Sequence, residues 1–369
     1  MAPLGEVEFF TDDCTLFATD QETMDFGPRT TPRGARALAV VAVIAVASTL
    51  ATKPPARHSG SAKPSLPTSA PPAVGRIGPA LRWVGGAADA LDAVIHRAKL
   101  YVLRAGSISV VNVATRRVES TMQLVGNYSV AYQSVARLLF DADADRLWVV
   151  AKGEHSARLI EIEAARMVPV RGVTVRFAVQ DAAAMGGHLY LATSAGLADL
   201  APGAADSAVL PGVAGAVSAV AADPRRHRIL ALDTSTPGAV VVVSHGQAAA
   251  RRIFGNLFQG TIAVVGDEIW VGGSASGSRA IIARLDPVTL AAVQTSSVAL
   301  RVTRVIVSPG AHSVWVSTGG RGLWCVDADN GDILEQWPSA AAPVTSEPGV
   351  AYTVDAGSIV PLIEQGCTG

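Results

Sequence analysis

The stretch Leu147-Trp148-Val149 is one copy of a short β-type phrase that decides the fold, because the phrase recurs along the chain. Its seven copies are Leu100-Tyr101-Val102, Leu147-Trp148-Val149, Leu189-Tyr190-Leu191, Ile229-Leu230-Ala231, Ile269-Trp270-Val271, Val314-Trp315-Val316 and Ala351-Tyr352-Thr353. Successive copies begin 37 to 47 residues apart. A four-stranded propeller blade repeats about every 40–50 residues, so this spacing predicts a β-propeller.

Further β-type runs flank each copy and are separated from it by turn residues. One apolar run precedes each copy, a third run follows it, and a fourth run follows in six of the seven cases. The seventh repeat lacks the fourth run, while an unassigned run, residues 81–84, precedes the first repeat. We expect residues 81–84 to supply the outer strand of the last blade, because ring closure protects the seam. The sequence thus predicts an all-β, seven-bladed β-propeller over residues 81–369.

The chain before residue 81 divides into three parts by composition. Residues 1–36 carry seven acidic and three basic side chains and predict a disordered acidic tail, either solvated or docking on a cytoplasmic partner. Residues 37–52 form an apolar run that predicts a single transmembrane helix, although as a helix it would span only about 24 Å. Residues 53–80 are rich in Pro, Ser and Ala and predict an extended linker.

The apolar run sets the expected location of the protein. Arg29, Arg33 and Arg36 precede it, which favours an N-terminus that stays in the cytoplasm. We therefore expect a single-pass protein of the cell membrane whose propeller is extracytoplasmic. The alternative is a secreted protein, because Ala45-Val46-Ala47 fits a signal cleavage site.

Charge and cysteine content exclude several classes of protein. The formal net charge is −1, with 30 Lys and Arg against 31 Asp and Glu, so no global signal for nucleic-acid binding exists. The chain has only Cys14, Cys325 and Cys367, which excludes a cysteine-based zinc motif and a disulfide-dense scaffold. Cys325 and Cys367 fall in neighbouring predicted blades; they either pair in an oxidising compartment or remain two thiols.

Three turn-containing stretches carry a resemblance to a known family. They are Asp223-Pro224-Arg225-Arg226-His227-Arg228-Ile229-Leu230-Ala231, Arg284-Leu285-Asp286-Pro287-Val288-Thr289-Leu290, and Cys325-Val326-Asp327-Ala328-Asp329-Asn330-Gly331-Asp332-Ile333. These stretches resemble the YVTN/YncE-like and NHL-like bacterial propeller repeats. The resemblance implies a propeller used for binding, adhesion or sensing, and in a few members for catalysis. The third and fourth repeats depart most from the pattern, since Ile229-Leu230-Ala231 lacks an aromatic residue.

Polar residues in the loops after the second strands are the candidate site. These loops share one face of a propeller, where rigid blades present functional side chains. The candidate ligand-binding residues are Arg104, Lys152, Glu154, His155, Asp233 and Arg321. No nucleophile elbow, phosphate loop or metal-ligand spacing is present in the sequence, so no catalytic, cofactor or metal residue is assigned.

Three functions are consistent with these observations. The first is a binding or scaffold module for a cell-envelope protein, peptide or glycan. The second is an envelope enzyme of the lactonase-like or hydrolytic propeller type, with acids and His155 near the central channel. The third is a sensor whose acidic tail passes a signal to a cytoplasmic partner.

Overall fold

The computed structural model describes the propeller region with short gaps. The described residues are 90–126, 135–235, 239–253, 259–274, 279–299, 302, 304–307, 313–317, 322–327, 329–337, 340–347, 350–355 and 358–362. Regular structure in these ranges is β-strand, apart from 3-10 geometry at Gly126 and the 3-10 turn at Pro224–Arg226. The predicted tail, apolar segment, linker and closing strand, residues 1–84, lie outside the described residues, as do Arg321 and Cys367.

Twenty-seven described strands form seven antiparallel sheets in chain order. Blade one comprises β1 (Ala90–His96), β2 (Lys99–Arg104), β3 (Ser107–Asn112) and β4 (Arg117–Gln123), and blade two comprises β5 (Val135–Asp141), β6 (Arg146–Lys152), β7 (Ala157–Glu163) and β8 (Val168–Val175). Blade three comprises β9 (Val179–Met185), β10 (His188–Thr193), β11 (Gly196–Leu200) and β12 (Ala208–Ala214), and blade four comprises β13 (Val217–Asp223), β14 (Arg228–Asp233), β15 (Ala239–Ser244) and β16 (Gln247–Ile253). Blade five comprises β17 (Gln259–Val265), β18 (Glu268–Ser274), β19 (Ala280–Leu285) and β20 (Ala292–Val298), and blade six comprises β21 (Arg304–Val307), β22 (Ser313–Ser317), β23 (Leu323–Asp327) and β24 (Ile333–Trp337). The last sheet comprises β25 (Ala340–Glu347), β26 (Val350–Asp355) and β27 (Ser358–Leu362).

The first strand of each sheet is the inner strand of a ring. These inner strands pack against one another in chain order, and β25 packs against β1. Each copy of the repeated phrase lies in the second strand of its sheet, so the predicted β-propeller is confirmed.

The predicted number of complete blades is wrong. Six sheets are four-stranded blades, whereas the last sheet has only the three strands β25–β27. The prediction assigned the missing outer strand to residues 81–84, which are outside the described residues. The propeller therefore has six complete blades in the described structure instead of seven.

The predicted transmembrane helix and single-pass location are also corrected. Among the residues that the structure describes, no helix has the length and apolar character needed to cross a membrane. The segment to which the prediction applied, residues 37–52, is not among them. Its sixteen residues would in any case span less than a bilayer core of about 30 Å.

The hydrophobic core lies in layers between neighbouring blades. Leu103 of blade one and Leu147 and Ile160 of blade two belong to one such layer, because side chains on alternate strand positions face opposite neighbours. The aromatic residues of the repeated phrase are its largest contributors: Trp148, Trp270 and Trp315 are at most 1% exposed. Burial of these rings explains why most copies of the phrase carry an aromatic residue.

Aspartates shape the turns that follow the third strands. The Asp286 carboxylate accepts hydrogen bonds from the backbone N–H groups of Val288 (3.0 Å) and Thr289 (2.6 Å). The Thr289 backbone bond lowers the pKa of Asp286. In blade six, Asp327 accepts from the N–H of Asp329 at 2.7 Å in the same way. These turns carry the family resemblance, and their aspartates act as local turn formers.

Cys325 on β23 is disulfide-bonded and fully buried, which decides between the two alternatives that the sequence left open for this residue. Its partner lies outside the described residues, and the chain contains only Cys14 and Cys367 besides. Alkylation of the unfolded, non-reduced protein should therefore modify one cysteine, and alkylation after reduction should modify three. Peptide mapping by mass spectrometry would identify the partner, and three modified cysteines without reductant would contradict the bond.

Candidate functional site

The propeller has two faces that the strand pairing defines. On the hairpin face lie the loops between second and third strands, together with the starts of the inner strands; Ala90, Arg104 and Ser107 meet there in blade one. On the turn face lie the turns between first and second strands and between third and fourth strands. These names are used below.

The structure places the predicted site residues on the hairpin face, apart from Arg321, which it does not describe. Arg104, Lys152 and Asp233 each end a second strand. Glu154 and His155 lie in the following loop of blade two. Strand order alone was enough to predict that these residues share a face. It was not enough to predict which groups each residue contacts.

The Asp233 carboxylate accepts hydrogen bonds from within its own loop. The residue is 4% exposed. Its Oδ1 accepts hydrogen bonds from the backbone N–H of Ser235 at 2.8 Å and from the Ser235 hydroxyl at 2.5 Å. Asp233 thus shapes the hairpin of blade four and is a poor candidate for direct ligand contact.

The loop of blade two projects into solvent. The side chains of Glu154 and His155 are 87% and 88% exposed, and Glu154 Oε1 is 3.7 Å from His155 Nε2. Such an exposed pair adds little to stability. Gly153 N–H donates to the Ser156 carbonyl at 2.8 Å, so the base of this loop is a closed hairpin.

Four basic residues lie along the hairpin-face edge of blade two, one for each strand. Arg137 is on β5, Lys152 ends β6, Arg158 is the second residue of β7, and Arg176 follows β8 directly. The strand register brings Lys152, Ala157 and Val175 into one row across the blade. We call Arg137, Lys152, Arg158 and Arg176 the basic edge.

Members of the basic edge also contact blade three. The Arg137 guanidinium forms an ion pair with Asp181 on β9. The Lys152 ammonium donates to the backbone carbonyl of Gln180. The Arg158 guanidinium donates to the Thr174 hydroxyl at 3.4 Å, within its own blade. Arg176 is exposed.

Two aspartates on the hairpin side, the buried Asp92 and the half-buried Asp181, join successive inner strands. Asp92 on β1 accepts a hydrogen bond from the backbone N–H of Leu138 on β5 at 2.9 Å. Asp181 on β9 accepts one from the N–H of Val220 on β13 at 3.1 Å. Both aspartates are the third residue of their strand. Sequence reasoning missed Asp92, Arg137 and Asp181; an acid at the same place in two apolar runs was the available signal.

Several charged side chains on the turn face contact a neighbouring blade. Glu161 on β7 accepts from Arg171 Nε at 2.5 Å and is 3.3 Å from Arg146 Nε. The Arg171 guanidinium reaches blade three, donating to the carbonyls of Ala204 and Ala201, and its centre is 5.4 Å from the Trp148 ring centroid. These groups form the Glu161 network.

Blades four and five are joined in a similar way. The buried Asp223 accepts from Arg228 Nε at 2.9 Å, and Arg228 also donates to the Pro287 carbonyl in blade five. Arg225 and Arg226 both pair with Asp267 in the first turn of blade five. Arginine is suited to this work because its planar fork serves a carboxylate and a carbonyl together.

Asp141 joins blades two and three on the turn face. It is buried and accepts from the backbone N–H groups of Gly186 (3.2 Å) and Gly187 (2.6 Å). Both glycines have positive φ, which a side chain would disfavour. Among the described residues, no cluster of three or more His, Cys, Asp or Glu could hold a metal ion.

A histidine, an aspartate and a tyrosine meet at the turn end of blade three. His188 Nδ1 is 2.9 Å from Asp199 Oδ1, and the rings of His188 and Tyr190 stack at 5.9 Å. Burial, and next the charges of Asp199 and Asp141, raises the pKa of Tyr190 to about 12. The folded protein therefore holds this phenol in its neutral form.

The Tyr190 pKa predicts a loss of stability in alkaline solution. Because the folded pKa exceeds the ordinary tyrosine pKa of 10.0, the stabilisation by the neutral phenol is fully present below pH 10.0 and is lost as pH rises toward 12. Relative to Tyr190→Phe, the wild type should lose about 1 kcal/mol of unfolding free energy by about pH 11. Urea unfolding at neutral and alkaline pH measures this loss. An equal change in unfolding free energy with pH for wild type and Tyr190→Phe would contradict this prediction.

The comparisons with known proteins establish the fold. No family model matches the chain, and no curated protein matches it. Solved structures similar to the chain include the β-propeller domain of Myceliophteria thermophila Cps50 (Swd1), with TM-score 0.59 and 15% identity over 78% of this chain and 98% of that one. A chain of the mitotic checkpoint complex matches with TM-score 0.53 and 14% identity over 85% and 98% of the two chains. The WD40 propeller domain of Doa1 matches with TM-score 0.52 and 11% identity over 79% and 95%.

These similarities define the chain as an all-β propeller with WD40-like structural neighbours. At 11–15% identity they carry the fold and no activity. The resemblance to YVTN/YncE-like repeats is not confirmed by any of them and stays a prediction from the sequence.

Proposed function

We propose that this propeller is a binding or scaffold module that holds a protein partner on the hairpin face above blades two and three. The carrying observation is the exposed loop of blade two on the hairpin face, although Arg137 and Lys152 beside it also contact blade three. On the turn face, Glu161, Asp223 and Asp141 and their partners hold adjacent blades together. On the hairpin face of blade two, the loop and part of the basic edge are exposed.

The fold supports this proposal in general terms. Rigid blades present loop side chains with little ordering cost, which suits recognition of another protein. One structural neighbour is a chain of a multiprotein complex by its name. The cell-envelope ligand and the glycan partner stay predictions from the sequence, as does the sensor role of residues 1–36.

The enzyme alternative receives no positive support from the described contacts. It required His155 and acids to converge at one mouth of the channel. His155 is instead paired with Glu154 at the tip of an exposed loop. The pair His188–Asp199 lies at the turn end of blade three, away from the basic edge.

A neutral insertion tests the proposed face. We would insert a short Gly-Ser segment between Glu154 and His155 in the full-length chain, and place the same segment between Thr115 and Arg116 on the turn face as the control. Both sites are exposed loop positions, where insertions are tolerated. Proteins cross-linked to wild type in its native cells would be quantified by mass spectrometry.

The hairpin-face insertion should remove the specific partners, and the control insertion should retain them. Thermal unfolding of both variants would show that the fold is intact. Equal retention by the two variants, or loss that is confined to the control, would overturn the proposed face. Absence of any specific partner with wild type would overturn the proposed function.

A further inference from the structure

We infer that Cys325 is bonded to Cys367, and that this disulfide holds the last sheet, β25–β27, against blade six. The cross-link does not depend on the binding function proposed above, because it concerns how the ring is kept closed.

The side chain of Cys325 lies on the face of blade six that is turned toward the last sheet. Side chains of a strand alternate between the two faces of its sheet. Trp324 and Val326, on either side of Cys325 along β23, pack into the core shared with blade five. Cys325 therefore points away from blade five, toward the side on which β23 packs against β25. It is 0% exposed, so its sulfur lies within the seam between blade six and the last sheet.

Of the two other cysteines, Cys367 is the one that follows this sheet. Only residues 363–366 separate it from Leu362, the last residue of β27, and a stretch of that length spans at most about 17 Å. Cys14 precedes blade one by a long segment and falls in a separate unit of the chain, residues 1–67. Cys325 and Cys367 both fall in residues 68–369. The disulfide of Cys325 is therefore assigned to Cys367.

A bond between Cys325 and Cys367 encloses the last sheet in a covalent loop. The loop starts on β23, has about 40 residues and contains β24, β25, β26 and β27. A cross-link of this span restricts the opened chain far more than the folded one, which favours the folded form. The last sheet has three described strands where the other blades have four. The disulfide thus reinforces the sheet with the fewest described strand pairings.

Burial of Cys325 makes this bond resistant to reductants. A dithiol reduces a disulfide when its thiolate attacks one sulfur and the other sulfur leaves with the electron pair. The second thiolate then attacks the mixed disulfide and releases the protein sulfur, so that the dithiol is oxidised and the protein gains two thiols. Attack at Cys325 is blocked because its side chain is fully buried, and attack at Cys367 would make Cys325 leave as a buried, unsolvated thiolate. Reduction therefore requires the last sheet to separate from blade six.

Peptide mapping of the full-length, non-reduced protein tests the assignment of the pair. A protease digest should contain one cross-linked peptide pair that joins Cys325 to Cys367, and a Cys14 peptide without a cross-link. A peptide pair that joins Cys325 to Cys14 would overturn the assignment, as would recovery of Cys325 as a free thiol.

Hydrogen–deuterium exchange of Cys367→Ser tests the role of the bond. In this variant, amides of β25–β27 should exchange about 100-fold faster than in wild type, because the loop constraint on their opening is lost. Amides of blade three should exchange as in wild type, and the matched control Cys14→Ser should show wild-type exchange everywhere. Unchanged exchange in β25–β27, or equal acceleration in every blade, would overturn the role assigned to the bond.

Reduction of wild type by dithiothreitol gives a second readout without a substitution. Loss of the disulfide at neutral pH, followed by alkylation and mass spectrometry, should be about 100-fold slower in buffer than in concentrated urea. Faster exchange of the β25–β27 amides should accompany this loss. Equal reduction rates in buffer and in urea would show that the bond is accessible in the folded protein and would overturn its place in the seam.

Discussion

Replacing Glu161 with alanine should destabilise the protein by about 3–5 kcal/mol, because it leaves two cations without their buried carboxylate. Glu161 is 8% exposed and contacts both Arg146 and Arg171. Arg171 would remain over Trp148 and against blade three without its counter-ion. Urea unfolding at neutral pH, followed by tryptophan fluorescence, measures the loss.

Glu163→Ala is the matched control for this substitution. Glu163 is two residues further along β7 and pairs with the exposed Arg166, so its removal should change stability little. The double variant Glu161→Ala with Arg171→Ala should lose less than the two single losses combined, because both variants break one network. A loss below about 1 kcal/mol for Glu161→Ala would show that the network is not a stabilising contact.

Replacing Trp148 with alanine should cost about 3–5 kcal/mol by leaving a cavity between blades two and three. The ring is completely buried and packs with Leu159, Val173 and Leu189. It also lies beneath the Arg171 guanidinium, so its removal weakens the Glu161 network.

Trp148→Leu should be milder, at about 2 kcal/mol, since blade four natively has Leu230 in the equivalent place. Val288→Ala, at a position that is 75% exposed, should stay within about 0.5 kcal/mol of wild type. Thermal and urea unfolding of these three variants would rank them. A Trp148→Leu loss equal to that of Trp148→Ala would mean that the aromatic ring itself is required at this position.

The repeated phrase predicted the architecture because the burial that explains it recurs in the second strand of each blade. An aromatic or aliphatic residue in the middle of a second strand is buried between two blades, and Trp148, Leu230 and Trp270 all show this. The same logic located the hairpin loops, including Glu154 and His155. It gave the wrong number of complete blades, because the last sheet has three described strands where the repeat predicted four.

The charged contacts between blades could not be predicted from the sequence. Arg137 and Asp181 are 44 residues apart and meet only because their side chains point into the same gap between blades. Arg171 reaches the Ala201 carbonyl across 30 residues for the same reason. From the sequence alone one cannot tell which neighbouring blade a strand side chain faces. Nor can one tell how far adjacent blades are shifted along each other. The basic edge was therefore represented in the prediction by Lys152 alone.

The aspartates of the inner strands have a kinetic consequence. Asp92 and Asp181 bond to main-chain amides of the following sheet, so those amides exchange with solvent only when the seam between sheets opens. Deuterium uptake at Leu138 and Val220 should therefore be slow and should report cooperative opening rather than fraying of single strands. Asp92→Ala should accelerate uptake at Leu138 while leaving Val220 protected, which would show that each seam opens on its own.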